Sequence, residues 1–151
     1  MIINKSSGEG NCIAEILSVI NILQRNACPD NCLESCDRPT LGGGDNCLIC
    51  NTRPVQIFTC LGNGVPFSMP TNKDLVTVCS NPEEITDNSE CCSSVFRIEK
   101  IEGNCATFRV LAPNPNHKNK LPFIGTNSFF TFNLDCACAI RCLSDTFVEC
   151  I

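Results

Sequence analysis

The sequence predicts a mainly β protein, a compact antiparallel sandwich or barrel with one N-terminal α-helix. Three features carry that expectation. Apolar residues recur at helical spacing only near the N-terminus, they alternate with polar ones in several runs after residue 51, and clusters of glycine, asparagine and proline punctuate those runs. A length of 151 residues suits a single domain, with 1–11 a flexible arm, 12–26 helical, 27–50 a cysteine-rich loop and 51–151 the β domain. A chain of this size buries about 68–70% of its unfolded surface, so its cysteines are not needed merely to make it fold.

The helix is read from Ile13, Ile16, Leu17, Ile20 and Leu23, behind a capping residue at Asn11 and ahead of the stop at Cys28 and Pro29. Val19 and Ile22 widen this core-facing stripe enough to serve a partner subunit as well. Cys28, Cys32 and Cys36 follow among prolines and polar residues, then three consecutive glycines, which marks a loop. Val55, Ile57 and Thr59 alternate with Gln56, Phe58 and Cys60. Gly62, Asn63 and Gly64 then turn the chain into a second run ending near Met69, and Pro66 assigns that run to an edge.

A short β-branched run from Leu75 to Cys79 precedes an acidic loop over Ser80 to Ser94, which holds the adjacent Cys91 and Cys92. The clearest hairpin places Phe96 and Ile98 opposite Phe108 and Val110, with Arg97, Glu99, Thr107 and Arg109 on the other face. Keeping those faces matched requires a three-residue connection, Glu102, Gly103 and Asn104, because a two-residue one would set Ile98 against Arg109. Phe130, Phe132 and Leu134 define one more strand, leading into Cys136, Cys138 and Cys142. Five to seven strands are expected in all.

The chemistry the chain lacks narrows its function. A net charge of -5 leaves no basic footprint for nucleic acid or anionic membranes, and no apolar stretch is long enough for a helical membrane span. Met1 to Gly10 has no apolar signal core, which points to a chain made in a cytosol. Zinc would need two close cysteine pairs, and Cys47 with Cys50 is the one two-spaced pair on offer. The same pair lacks the alternating strand and helix surroundings of a thioredoxin-like redox unit. His117, the sole imidazole, sits in a polar loop over Pro113 to Pro122 with no nucleophile assigned to it. No catalytic, cofactor or metal site is read, and Glu83 with Glu84 is read as solvated charge.

What the chain has in excess is thiol. Fifteen cysteines in 151 residues exceed ordinary usage, and an odd number leaves at least one without a partner in its own chain. With no tyrosine, two glutamines and five lysines, thiol chemistry is the abundant route to a cross-link.

Four motifs then fall in order along the chain. Cys28-Pro29-Asp30-Asn31-Cys32 follows the helix, and Asn51-Thr52-Arg53-Pro54 comes with Gly64-Val65-Pro66-Phe67. Phe96-Arg97-Ile98-Glu99 comes with Cys105-Ala106-Thr107, and Leu134 to Leu143 reads LDCACAIRCL. Together they resemble the cysteine-rich spore coat and exosporium proteins of the CotY, CotZ and ExsY family. Ala137 stands where that family would carry an aromatic, and Cys47, Cys50, Cys60 and Cys150 are additional to its pattern.

The resemblance implies a structural protein without cofactor. Its subunits would self-assemble with one another and with other spore coat proteins into an extended lattice or fibre locked by disulfides. It also implies synthesis in the mother-cell cytoplasm without a signal peptide and deposition on the endospore as coat or exosporium. The cysteines of its motifs, Cys28, Cys32, Cys105, Cys136, Cys138 and Cys142, together with Cys36, are the candidates for structural disulfides. Cys12 and Cys150, ahead of the helix and one residue from the end, are the candidates for bridges between subunits, because a mobile thiol meets the geometry of a bridge most easily. A thiol redox or zinc-binding module and an adaptor that anchors other coat proteins are the alternative readings.

Overall fold

The computed structural model describes residues 11–26, 50–76, 79, 91–115, 121–149 and 151. The cysteine-rich loop apart from Cys50, the acidic stretch over 80–90, His117, Cys47 and Cys150 lie outside the described residues, as do Cys28, Cys32 and Cys36. Within them the protein is mainly antiparallel β with one N-terminal helix, as expected, and the sheet does not close into a barrel.

Helix α1 spans Cys12–Asn26. Asn11 caps it, its side-chain oxygen accepting the Ala14 N–H at 3.0 Å, and Arg25 in the last turn complements the helix dipole. The buried row is Ile13, Leu17, Ile20 and Gln24 with Asn21 beside it. Ile16 and Leu23, expected on the core stripe, are 45% and 47% exposed. The reason is Gln24: its amide donates to the Ile98 carbonyl at 2.8 Å and accepts from the Arg53 N–H at 3.0 Å, which turns its own face toward the sheet. Ile16, Val19 and Leu23 are left on the outer side.

Seven strands follow: β1 Val55–Thr59, β2 Met69–Pro70, β3 Cys92–Ser93, β4 Val95–Glu102, β5 Cys105–Pro113, β6 Phe123–Asn133 and β7 Ala137–Cys142. Five form one antiparallel sheet in the order β6-β5-β4-β1-β7, and β2 pairs with β3. The expected run to Met69 is broken up: Pro66, which cannot donate to a ladder, makes one isolated bridge with Phe58, and Met69 begins β2. Leu75 and Val76 form no strand, and Cys92 is a strand residue rather than a loop residue.

The two outer strands of the sheet, β6 and β7, are joined by one 3-10 turn, Leu134–Cys136. From Asn133 to Ala137 the chain reaches at most about 14 Å, whereas four strand spacings in a flat sheet measure about 19 Å. The sheet is therefore rolled, and Leu134 is buried where its ends approach.

The β4–β5 hairpin has the expected register, with Phe96 opposite Val110 and Ile98 opposite Phe108. It reaches that register differently. Glu102 pairs with Cys105, so the turn has two residues, Gly103 and Asn104, and Gly103 takes a φ of +61° that favours glycine. A bulge between Ile98 and Lys100 supplies the residue that the shorter turn omits and restores the faces.

Phe67, Phe96, Phe108, Phe130 and Phe132 fill the inner face, with Phe96 edge-on to Phe130 at 4.8 Å and Phe108 stacked on Phe130 at 5.4 Å between centroids. On the other face Glu99 accepts from Arg97 and Arg109, each at 2.9 Å. Arg97 also donates to the Thr52 hydroxyl and the Asn51 carbonyl, so each of the three nitrogens of this poorly exposed guanidinium has a partner. Asn51 in turn grips the C-terminal segment, donating to the Val148 carbonyl and accepting from its N–H, both at 3.0 Å.

Truncating Phe108 to alanine is expected to cost about 3–5 kcal/mol in denaturant unfolding, and a loss below about 0.5 kcal/mol would contradict the core assignment. Glu99→Ala, which strands two arginines, is expected to cost about 3 kcal/mol by the same measurement.

Candidate functional site

Among the described residues the core cluster contains no cysteine. The described cysteines lie instead on the surface or in two bridges, Cys60–Cys138 and Cys79–Cys92, with Cα–Cα distances of 5.3 and 6.0 Å that fit disulfide geometry. Six described cysteines are free: Cys12, Cys50, Cys105, Cys136 and Cys142 are exposed, and Cys91 is half-buried.

Hydrogen bonds gather three of the exposed thiols at one end of the molecule. The Asn104 side chain in the β4–β5 turn donates to the Asp135 carboxylate at 2.8 Å and accepts from Asn11 at 3.4 Å, while the Asn104 carbonyl accepts the Leu134 N–H. Each residue of this Asn11, Asn104, Asp135 chain is followed directly by a free cysteine, Cys12, Cys105 and Cys136. The helix start, the hairpin turn and the 3-10 turn thus present one thiol each. Three thiols on one end cannot all pair with one another. Among the described residues no three histidine, cysteine, aspartate or glutamate side chains are placed to hold a metal ion.

A second group lies where α1 ends. Cys50 lines a small cleft with Leu23, Arg53 and Asp145, and Cys142 at the end of β7 pairs across from Val55. Arg53 grips both oxygens of Asp145, at 2.7 and 2.9 Å. The hydrogen bond from Arg53 holds the Asp145 carboxyl below its ordinary range, and the same contact raises Arg53.

Of the cysteines expected from sequence to form structural bridges, the structure brings Cys138 to Cys60 and leaves Cys105, Cys136 and Cys142 free. Cys12 is free and exposed at the helix start. Cys60 was not among the sequence candidates. It lies one residue beyond β1, and regular antiparallel pairing past Thr59 and Ala137 would set it opposite Cys136; the bulge at Cys138 instead brings that residue within a Cα–Cα distance of 5.3 Å. Among the described residues no helix is long and apolar enough to cross a membrane.

A family model described as Spore coat protein Z matches residues 1–122 of the chain. Spore coat protein Z of Bacillus subtilis (strain 168) is 30% identical over 157 aligned positions, which cover 95% of this chain and 96% of that protein. No solved structure matches.

Native protein treated with a bulky maleimide is expected to label fast at Cys12, Cys50, Cys105, Cys136 and Cys142, slowly at Cys91, and at Cys79 and Cys92 only after reduction. Peptide mapping of the labelled sites reads this directly. Because the Asp145 pKa is lowered, the Arg53 pair contributes above the ordinary carboxylate range and is lost as pH falls through the folded value. Both side chains are more than a third exposed, so Asp145→Asn should remove only about 0.2–1 kcal/mol at neutral pH and nothing in strong acid.

Proposed function

Since the chain belongs to the spore coat protein Z family, we propose that it is a structural protein of the spore surface whose subunits self-assemble and are locked together by disulfides. The observation that carries this reading is the division of labour among side chains: phenylalanines and aliphatics make the core, and five of the six free described cysteines are exposed. Buried cysteines would be small hydrophobes, whereas exposed thiols are free to react with other chains.

Placement at two ends of the rolled sheet supports extension rather than closure. Cys12, Cys105 and Cys136 lie at one end, and Cys50 and Cys142 lie where α1 finishes. A subunit with reactive groups in two places can join more than one neighbour, which is the minimum requirement for a sheet or fibre. Synthesis in the mother-cell cytoplasm would keep these thiols reduced, and exposure of the spore surface after that cell lyses would let them oxidise. Other coat proteins with exposed thiols would be partners by the same chemistry.

Reduced protein brought to oxidising conditions is expected to form large ordered multimers by electron microscopy and high-mass bands on non-reducing gels, both dispersed by reductant. Sedimentation as a monomer at every concentration after oxidation would overturn the reading. The double change Cys12→Ser with Cys150→Ser is expected to weaken the high-mass bands without altering the strand signal in circular dichroism, and unchanged bands would remove these two cysteines from the linkage.

A further inference from the structure

The two bridges differ in surroundings. Cys79–Cys92 is shielded, with Cys92 only 5% exposed, whereas both Cys60 and Cys138 are exposed. The exposed bridge also sits on β7, an outer strand of the sheet whose one described neighbour is β1. In the β1–β7 ladder Phe58 pairs with Ala139 and Thr59 with Ala137, so Cys138 is the extra residue of a bulge. Bulges re-aim the side chain they carry.

We propose that the Cys60–Cys138 bridge is a thiol–disulfide exchange site, opened by Cys142 of a second copy that pairs its own β7 antiparallel to this outer edge of the described sheet. The proposal rests on the cross-linking role argued above and names the bond through which it starts.

Three features point to a second copy as the occupant. An outer strand offers unpaired backbone groups to another strand, and two-fold pairing of β7 centred on Ile140 sets Cys138 opposite Cys142 in both directions. That register places Arg141 opposite Ala139 rather than opposite its own copy, so no like charges face each other. The third feature is the direction of attack. Cys60 follows the last residue of β1, so the S–S bond runs from β7 toward β1. Displacement at sulfur proceeds in line with the bond that breaks, and the back of the Cys138 sulfur therefore faces the outer edge from which a paired strand arrives.

The step balances without an oxidant. The Cys142 thiolate of one copy forms a bond to the Cys138 sulfur of the other, the Cys138–Cys60 bond breaks, and Cys60 departs as a thiolate that takes a proton from water. One disulfide is consumed and one is formed. An intrachain bridge becomes an interchain one, and each event releases a fresh exposed thiol at Cys60 for a further link.

The test uses the full chain with the Cys60–Cys138 bridge closed, held in deaerated buffer with a metal chelator and no added oxidant. Non-reducing gels, a colorimetric free-thiol count and disulfide peptide mapping are read together. The expected result is covalent dimers with an unchanged thiol count and a Cys138–Cys142 peptide. In Cys142→Ser the oxidant-free dimers are lost, although oxidised glutathione still links that variant through its other thiols. Oxidant-free dimers that persist in Cys142→Ser overturn the proposal, and so does their absence from wild type that oxidised glutathione does link. Absence of links under both conditions overturns the exchange and the cross-linking role together.

Discussion

The phenylalanine cluster on the inner face of the rolled sheet is the packing on which the rest of the structure depends. Phe96, Phe108, Phe130 and Phe132 come from three neighbouring strands, and Phe67 meets three of them from the segment after the first turn. Their contact brings β4, β5 and β6 into register, and the helix row Ile13, Leu17 and Ile20 completes the same cluster. Because aromatic and aliphatic burial supplies the cohesion, the described free cysteines are left outside that cluster. A cysteine-rich chain can then be cysteine-poor at its centre.

The outer face solves a different problem. Arg97 is a buried charge, tolerable because Glu99, Thr52 and Asn51 together engage its guanidinium. Asn51 passes that constraint on to the C-terminal segment through both polar atoms of its side chain, with Val148 fully buried as a result. The beginning of the β region, the middle of the hairpin and the end of the chain are thereby fixed relative to one another. The surface thiols consequently sit on a rigid frame, which is what directional linkage between subunits requires.

Much of this was legible in the sequence. The helix behind Asn11 and the facing of Phe96 and Ile98 onto Phe108 and Val110 follow from periodicity alone. The turn length did not, because the bulge between Ile98 and Lys100 adds a residue that alternation cannot reveal. β7 was hidden for a related reason: ACAIRC lacks a clear polar and apolar alternation, and its ladder is itself bulged at Cys138. Ile16 and Leu23 look like core residues by spacing, and only the two hydrogen bonds of Gln24 reveal which helix face turns inward. The abundance of thiols was plain from composition, but pairing is a property of space. Cys60 and Cys138 are separated by 78 residues, and it takes the β1–β7 ladder to bring them together.

The central claim is that packing holds the fold and cysteines serve the surface. Thermal unfolding of the chain kept fully reduced, followed by far-ultraviolet circular dichroism, tests it most directly. The account predicts that the strand spectrum survives reduction and is lost in one cooperative transition, at a temperature lowered only by the removal of bridges such as Cys60–Cys138 and Cys79–Cys92. Loss of the strand signal on reduction alone, before any heating, would contradict it.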